Sequence, residues 1–327
     1  MNKLNVAIVT GGDVAERSIS LQSAATVFKH LDANKYDKYI IELNQGAFTE
    51  QGTGAPVDMN DFSLHRPDGI VRFGLIFLMI HGHPAEDGCM QGYFQLLGIP
   101  YTGCNHFVSA LTFDKQACKD FLKAHDIPMA PSRLLRKGQP VSWQELLDMG
   151  LPLFVKPNKN GSSYGVSKVK TPGELEPAVA LSFQFDDEVV VEGFLNGVEF
   201  SNGVVRKDGE TLVLPITEIV PQNEFFDFKA KYENESQEIT PARLTAGLWD
   251  QCQAQTKKIY EVLGCRGMAR IDYILVDGTF YFLEANTIPG MSEASIIPQQ
   301  AHAHGWTIAE LLETVAEDAL AMVKQQG

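Results

Sequence analysis

The sequence lacks most features that mark membrane, secreted or nucleic-acid-binding proteins. No apolar run approaches the roughly 20 residues that a membrane-spanning helix requires, and the N-terminus lacks the long apolar stretch of a signal peptide. The five cysteines form no CxxC pair and are odd in number, which favours reduced thiols and a cytoplasmic location. Basic residues are scarce, with 27 Lys and Arg against 41 Asp and Glu and a net charge of −14. We therefore expect no nonspecific binding to nucleic acid or to an anionic membrane.

Strand and helix signals alternate over the first hundred residues, which predicts a small parallel sheet with helices on its faces. Within this region we predict an irregular connection at 45–69 and a strand at 99–103. A single helix is predicted over 106–127. Later elements have α+β character, and those after 198 are antiparallel. We predict an α/β chain, α+β in its C-terminal two thirds, with three domains at 1–112, 113–197 and 198–327.

The first candidate site follows the N-terminal strand, where IVTGGDVAERSIS leads into a helix. It lacks GxGxxG, because only two adjacent glycines are present. Glu42 ends the next strand, but farther along the chain than the ~20 residues of the dinucleotide fingerprint. Glu16 suits the positive end of the helix dipole. The turn is thus either a phosphate-binding loop or a glycine turn with another use.

Two further candidates lie in the middle of the chain. LFVKPNKNGSSYGVSKV predicts a strand, a loop and a second strand, with Lys156 ending the first strand. The small residues 161–163 let backbone amides approach an anion, although the alternative is an ordinary flexible hairpin. Glu192 ends an apolar strand, and Glu199 follows a Gly-containing linker. These carboxylates suit an amine or a ribose hydroxyl, but acidic residues at a strand end are usually only solvated.

The strongest local signal is ARIDYILVDGTFYFLEANTIPG, two alternating strands around Asp-Gly. A three-residue loop at 276–278 would place Arg270, Asp272, Glu284 and Asn286 on one face, with Asp272 diagonal to Glu284. A two-residue turn would place Asp272 and Glu284 on opposite faces and would weaken a metal site. Two carboxylates and a carboxamide suit Mg²⁺ that also holds phosphates. The alternative is a polar, solvent-facing strand pair.

Two HxH segments, His81 with His83 and His302 with His304, each resemble half of a zinc site. No cysteine or second carboxylate cluster lies at ligand spacing nearby in the sequence. We therefore expect no zinc site at either segment.

Taken in order, the motifs resemble those of the D-alanine–D-alanine ligases of the ATP-grasp superfamily over nearly the whole chain. They are GGDVAERSISLQS, HGHPAEDGCMQG, KPNKNGSSYGVSKV, AKY, RID and LEANTIPGMSEASIIP. The resemblance implies a three-domain ATP-grasp architecture with ATP between the central and C-terminal domains, so the glycine turn would serve the amino acid. Val14, Ala85 and Ile296 depart from the family pattern near the amino-acid sites, which leaves the exact side-chain preference open.

The resemblance also implies a role for each candidate residue. ATP would be bound by Lys115, Lys156, Ser163, Glu192, Phe194, Leu195, Glu199 and Lys231. Two Mg²⁺ ions, with Mn²⁺ as a substitute, would be held by Asp272, Glu284 and Asn286. Glu16 would bind the ammonium of the first D-alanine, and Ser295 the carboxylate of the second. Arg270 and the Gly290 amide would stabilise the oxyanion. Ser162 and Tyr232 would join Glu16 by hydrogen bonds and close a loop at about 225–240.

The implied reaction joins two D-alanine molecules through an acyl phosphate, at the cost of ATP, for peptidoglycan precursor synthesis. The family leads us to expect a homodimer. The alternatives are the same chemistry with D-lactate, D-serine or another acceptor, an inactive nucleotide-binding regulator and, from the glycine turn alone, a dehydrogenase. Tyr232 favours an amine acceptor over D-lactate. The presence of every proposed lysine and metal ligand disfavours the regulator.

Overall fold

The computed structural model describes residues 3–12, 16–161, 164–221 and 236–323. Its strands are β1 Leu4–Gly11, β2 Tyr36–Asn44, β3 Ala47–Glu50, β4 Val57–Asp58, β5 Ser63–Arg66, β6 Gly69–Val71, β7 Leu75–Leu78, β8 Ser132–Arg136, β9 Leu153–Pro157, β10 Ser167–Val169, β11 Glu188–Gly193, β12 Val198–Lys207, β13 Glu210–Pro221, β14 Ser236–Ile239, β15 Met268–Val276 and β16 Thr279–Asn286. Its helices are α1 Arg17–His30, α2 Cys89–Leu97, α3 His106–Phe113, α4 Lys115–Lys123, α5 Trp143–Leu147, α6 Leu175–Ser182, α7 Ala246–Leu263, α8 Ile296–His304 and α9 Ile308–Val323. Across these ranges, no helix combines the length and apolar character needed to cross a membrane.

The N-terminal region is built on a four-stranded sheet in the order β3-β2-β1-β7. β1 runs parallel to both β2 and β7, which confirms the predicted parallel sheet. Residues Val6–Val9 in β1 are fully buried, as expected for a parallel strand that is covered on both faces. The carboxyl end of β1 delivers Gly11 and Gly12 to one edge of the sheet, just before α1 begins.

Two details predicted for this region are wrong. The stretch 45–69 is not an irregular connection, because it contains β3, β4, β5 and the start of β6, and the last three form a small sheet of their own. The stretch 99–103 is not a strand, and within it only Tyr101 forms an isolated bridge, to Ile76. Strands of two to four residues bury few side chains, so their apolar signal is hard to distinguish from that of a loop.

The predicted single helix over 106–127 is also wrong, because the chain breaks into α3 and α4 at Asp114. The backbone of Asp114 is extended, and its side chain accepts a 2.9 Å hydrogen bond from the amide of Ala117. Aspartate is a favoured N-cap residue because it satisfies an amide that has no partner inside the helix. The Asn158 side chain also donates to Asp114. The break places Lys115 at the first position of α4.

The rest of the chain forms two antiparallel sheets that face a common cleft. The central sheet has the order β10-β9-β11-β8, and the larger sheet has the order β14-β13-β12-β15-β16. One face of the larger sheet packs on α7, where Ile259 and Tyr260 meet Ile271 and Phe280 in one buried cluster. Its other face packs in part on α8 and α9, and the remainder lines the cleft.

Three hydrophobic clusters hold these layers together, and they do not follow chain order. Leu122 of α4 packs in the cluster of the larger sheet, although it lies in the predicted central domain. Leu311 and Val315 of α9 pack in the cluster of the N-terminal sheet. The domain limits at 112 and 197 stay predictions, because chain segments on either side of them share cores.

Candidate active site

Two connected cavities occupy the cleft. The first, of about 430 Å³, lies between the central and larger sheets. The second, of about 780 Å³, extends from there to the start of α1, the loop after β7 and the segment before α8. Residues that line both cavities mark the junction: Lys115, Asn160, Gly161, Glu199, Ile219, Asp272 and Glu284.

The walls of the first cavity suit a flat, apolar group that ends in polar atoms. Ile274 and Leu283 line it from the larger sheet, and Phe154 lines it from the central sheet. The predicted adenine contacts, Phe194 and Leu195, lie in the linker after β11 and also line it. The amide of Phe194 donates to the Pro152 carbonyl, which fixes the linker against the preceding loop. An apolar cleft with few convergent polar groups is typical of a small-molecule site.

Glu192 lies at the inner end of this cavity and joins two lysines. Its carboxylate is 2.7 Å from Lys156 Nζ and 2.8 Å from Lys119 Nζ, and both Glu192 and Lys119 are buried. Burial alone raises the pKa of Glu192, but Lys156 and Lys119 outweigh burial and lower the pKa to about 2. The carboxylate is therefore charged at neutral pH and holds Lys156 in the cavity. Sequence reasoning missed Lys119.

Lys115 lies at the junction of the cavities because the helix break at Asp114 positions it there. Its ammonium donates a 2.6 Å hydrogen bond to the carbonyl of Asn160, in the loop after β9. Burial lowers the pKa of Lys115, and the nearby Glu284 opposes this shift. Two predicted phosphate-binding lysines, Lys115 and Lys156, therefore line the same cavity from different elements.

The hairpin of β15 and β16 differs from both forms considered for it. The turn has two residues, since Val276 pairs with Thr279, so the shorter of the two alternatives forms. A β-bulge then inserts Leu283 between the partners of Tyr273 and Asp272, and Asp272 lies directly opposite Glu284. One extra residue shifts side-chain alternation by one position. The bulge thus restores the shared face that a two-residue turn alone would destroy.

The face restored by the bulge carries the predicted metal ligands. Arg270 pairs with Asn286 in the same register, so all four predicted side chains lie together. Asp272 is buried, accepts a 2.6 Å hydrogen bond from Ser201 Oγ, and is 2.7 Å from the Arg270 guanidinium. The oxygens of Asp272, Glu284 and Asn286 are hard donors, which fits Mg²⁺.

The second cavity begins at Glu16, just before α1. A Cβ built on Gly82 would lie 2.4 Å from one Glu16 carboxylate oxygen, and one on Gly161 would lie 2.6 Å from the other. The carboxylate is therefore packed between two backbone segments that only glycine permits. A Cβ on Gly11 would lie 2.2 Å from the Leu43 carbonyl oxygen, so this glycine is required for packing on β2. The glycine turn therefore precedes a residue, Glu16, that lines the second cavity.

Two residues of the loop after β7 line this cavity, and sequence reasoning gave neither of them a role. Burial, Glu16 and Glu284 raise the pKa of Glu86 to about 8, so its carboxyl is largely protonated at neutral pH. Burial lowers the pKa of His81 to about 4. The neutral His81 ring contacts Ser23 Oγ at 3.0 Å and the Ile288 carbonyl at 2.8 Å. The only sequence signal was the HGHPAEDG motif itself.

The far end of the second cavity brings Gly290 and Ser295 together. A Cβ on Gly290 would lie 3.0 Å from Ser295 Oγ, which in turn is 2.7 Å from Ser292 Oγ. Ser295 is the residue immediately before α8, so the helix N-terminus points at this corner. Gln299 donates a 2.5 Å hydrogen bond to Glu238 on the same side. This corner suits a carboxylate.

The two histidines of the first HxH segment lie in different surroundings. His81 is buried in the cavity wall, whereas His83 is exposed on the opposite side of its loop. The expectation that no thiol lies near them is wrong, because Cys89 and Asp87 lie beside His83. His304 packs edge-on against Trp306. Four predicted site residues, Ser162, Ser163, Lys231 and Tyr232, lie outside the described residues.

Solved structures share this architecture. The TM-score is 0.90 to D-alanyl-alanine synthetase A from Vibrio cholerae, at 27% identity, covering 98% of this chain and 99% of that one. It is 0.87 to the VanG D-Ala:D-Ser ligase from Enterococcus faecalis, at 30% identity, with 97% and 100% covered. For the Bacillus anthracis D-alanine–D-alanine ligase complexed with ATP it is 0.82, at 30% identity, with 99% and 100% covered. The fold and its cleft thus define an ATP-dependent ligase of the ATP-grasp class, and the predicted fold class is confirmed.

Family models and curated relatives give the same assignment more narrowly. A D-ala D-ala ligase N-terminus model matches residues 5–104, and a D-ala D-ala ligase C-terminus model matches 121–317. D-alanine–D-alanine ligases from Phocaeicola vulgatus and Flavobacterium johnsoniae are each 44% identical over 321 residues, covering 97% of this chain and 99% of the relative. The chain belongs to the D-alanine–D-alanine ligase family, and the resemblance drawn from its motifs is confirmed.

Proposed function

We propose that this protein joins two D-alanine molecules into D-alanyl-D-alanine with ATP, supplying the dipeptide for peptidoglycan precursor synthesis. Membership of the family supports the reaction. The observation that carries it in the structure is the junction of the two cavities. There Asp272 and Glu284 face each other, and Lys115 comes from a separate element. This junction is where a phosphate in one cavity meets a carboxylate in the other.

ATP occupies the first cavity in this proposal. Its base lies against the apolar walls by the linker at Phe194 and Leu195, and Glu199 at the junction binds the ribose. Lys115 and Lys156 neutralise phosphate charge, and Lys156 is held for this task by Glu192. Charged groups that are already positioned stabilise charge on the transferring oxygens without further reorganisation.

The metal ligands belong to the same proposal. Asp272, Glu284 and Asn286 hold two Mg²⁺ ions, for which Mn²⁺ substitutes, and these ions supply charge stabilisation on the phosphates. The donor set supports this assignment, since three oxygen-bearing side chains share one face at the cavity junction. Arg270, which now pairs with Asp272, also lines the second cavity and is placed to bind the oxyanion of the acyl-transfer step.

The two amino acids occupy the second cavity. The first D-alanine places its ammonium at Glu16 and its carboxylate at the junction. There a carboxylate oxygen attacks the γ-phosphate, the bond to the β-phosphate breaks, and an acyl phosphate and ADP form. The second D-alanine places its carboxylate at Ser295, and its amine attacks the acyl carbon and expels phosphate. Holding both reactants in one cavity makes the second step effectively unimolecular. Closing the cleft would protect the acyl phosphate from water.

Phosphate release from Mg-ATP with single D- and L-amino acids, followed by product mass, tests this function. We expect phosphate release that requires D-alanine and yields a product with the mass of the dipeptide. Turnover that requires D-serine or D-lactate in addition to D-alanine would identify a different acceptor for the same chemistry. No turnover with any amino acid would contradict the proposal and favour a nucleotide-binding regulator.

We also propose a homodimer in the cytoplasm. Leu96 and Phe107 are exposed on α2 and α3, two helices that contact each other, and such side chains favour a protein contact. The five cysteines are free thiols, as in reducing compartments. Light scattering after size exclusion measures the mass in solution. Replacing both exposed residues with serine should give a monomer, and cell fractionation tests the location.

A further inference from the structure

The loop between β7 and α2, together with the first residue of α2, carries a cluster of three different metal-binding side chains. His83 Nδ1 lies 2.5 Å from Asp87 Oδ2. The thiol of Cys89 completes the group, and one donor atom from each residue lies within 4.8 Å of the others. This cluster has no part in the ligase chemistry proposed above, which uses the inner side of the same loop.

The three donors differ in kind from those of the magnesium site. An imidazole nitrogen, a thiolate sulfur and one carboxylate oxygen form a set that zinc and similar borderline metals prefer, whereas Mg²⁺ requires oxygens. We propose that His83, Asp87 and Cys89 bind one zinc-class divalent ion, with water at the fourth position. Of the described residues, no other group of three such side chains lies this close together.

The local structure already orients the proposed ligands. The backbone amide of Cys89 donates a 3.1 Å hydrogen bond to Asp87 Oδ1, while Oδ2 faces His83. One oxygen of Asp87 therefore fixes the loop, and the other is the ligand. Such fixing of a ligand by a neighbouring hydrogen bond is typical of metal sites. His83 is more than half exposed, so an ion from solution can reach it.

Binding is an exchange of protons for the ion. The thiolate, not the thiol, forms the metal–sulfur bond, so Cys89 gives up its proton when the ion binds. Cys89 is the first residue of α2, and the positive end of a helix favours a thiolate. We therefore expect affinity to rise with pH.

The test uses the full-length protein with excess Mg²⁺ to fill the oxygen site. Co²⁺, as a coloured substitute for Zn²⁺, should produce a thiolate-to-cobalt absorption band that one equivalent of Zn²⁺ removes. The other cysteines, Cys104, Cys118, Cys252 and Cys265, are buried, so the band should report Cys89. Zinc affinity is measured in parallel by competition with a chromogenic chelator.

Cys89→Ser and His83→Gln should each weaken zinc binding at least ~10-fold and abolish or shift the band. His65→Gln is the matched control, because His65 is also exposed and lies near a carboxylate, Asp58, but belongs to no such three-donor group. Its affinity should equal that of the wild type. Absence of a cobalt–thiolate band, or equal zinc affinity in wild type and Cys89→Ser, would overturn the proposal. Circular dichroism melting establishes that each variant is folded.

Discussion

The two cavities of the cleft differ in the number and pairing of their charged side chains. In the first, the buried carboxylate of Glu192 lies between Lys156 and Lys119, so the strongest charges compensate each other inside the protein. In the second, the described lining carries six carboxyl groups but only two lysine or arginine side chains, Lys115 and Arg270. The cavities meet within one cleft, yet the second carries the larger excess of carboxyl groups over lysine and arginine.

This difference indicates which ligand groups each cavity is suited to bind. A lysine held by Glu192 is ready for phosphate and loses little freedom when phosphate binds. A cavity rich in carboxyl groups is completed by cations, namely the ammonium groups of the substrates and Mg²⁺. Part of its charge is removed by protonation, because burial together with Glu16 and Glu284 raises the pKa of Glu86 to about 8.

The largest expected effect follows from removing a carboxylate at the junction. Glu284→Ala should lower phosphate release from Mg-ATP with D-alanine by on the order of 10³-fold, because it deletes a proposed metal ligand. The thermal midpoint should change little, since this face of the sheet is part of the cleft. Glu293→Gln, an exposed carboxylate that pairs with Lys29, is the control and should retain activity. Near-normal turnover in Glu284→Ala would contradict the metal assignment.

Breaking the buried ion cluster should mainly lower stability. Glu192→Gln leaves two lysines without their buried partner and should cost about 3 kcal/mol of unfolding free energy at pH 7. Because the folded pKa of Glu192 lies below its ordinary 4.5, at about 2, this contribution is full above pH 4.5. It is lost as pH falls through 2.

Urea unfolding over a pH series measures this effect, with Glu218→Gln as the matched control. Glu218 pairs with Arg243, whose side chain is largely exposed, so that variant should lose less than about 1 kcal/mol. Equal losses of unfolding free energy in the two variants would show that the buried cluster stabilises the protein no more than the exposed pair does.

A smaller effect is expected where glycine packs against Glu16. The Cβ of Gly161→Ala would press on the carboxylate and raise KM for D-alanine roughly tenfold, or about 1.4 kcal/mol, with a smaller change for ATP. Gly173→Ala is the control, because its Cβ would meet open space. An unchanged KM for D-alanine in Gly161→Ala would count against Glu16 as the ammonium site.

The smallest effect concerns the buried carboxyl of Glu86. Its folded pKa, about 8, lies above its ordinary 4.5, so its contribution to stability is full below pH 4.5 and is lost as pH rises through 8. Relative to Glu86→Gln, the wild type should therefore lose stability as pH rises over this range. Parallel pH profiles of the two proteins would contradict a buried, protonated Glu86.

The sequence predicted the long elements and the class of the fold, because their apolar periodicity extends over many residues. The break at Asp114 also had a local signal, an aspartate before a new helical turn, which the continuous apolar pattern masked. The roles proposed for the site residues remain predictions. Geometry that depends on distant segments could not be predicted in this way. Lys119 lies on an amphipathic helix, and nothing near it in sequence indicates that Glu192 lies against it.

The position of Cys89 illustrates the same limit. Sequence spacing directed attention to HxH pairs, whereas the chain turns His81 inward and brings His83 to Asp87 and Cys89. The hairpin is a second example, because the turn length alone would place Glu284 on the face opposite to that of Asp272. Only the bulge, which forms as two twisted strands pair, determines which residues oppose each other.

The bulge at Leu283 also determines which changes in length this hairpin tolerates. Deleting Leu283 would remove no charge and no proposed ligand, and Glu284 would follow Phe282 directly. Phe282 pairs with Tyr273 and Glu284 pairs with Asp272, so the shortened strand would keep these pairs in a regular ladder, with Glu284 and Asn286 still on the cleft face. One residue inserted before Glu284 without a second bulge would instead turn Glu284 and Asn286 toward the hydrophobic cluster under α7 and bring Ala285 into the cleft.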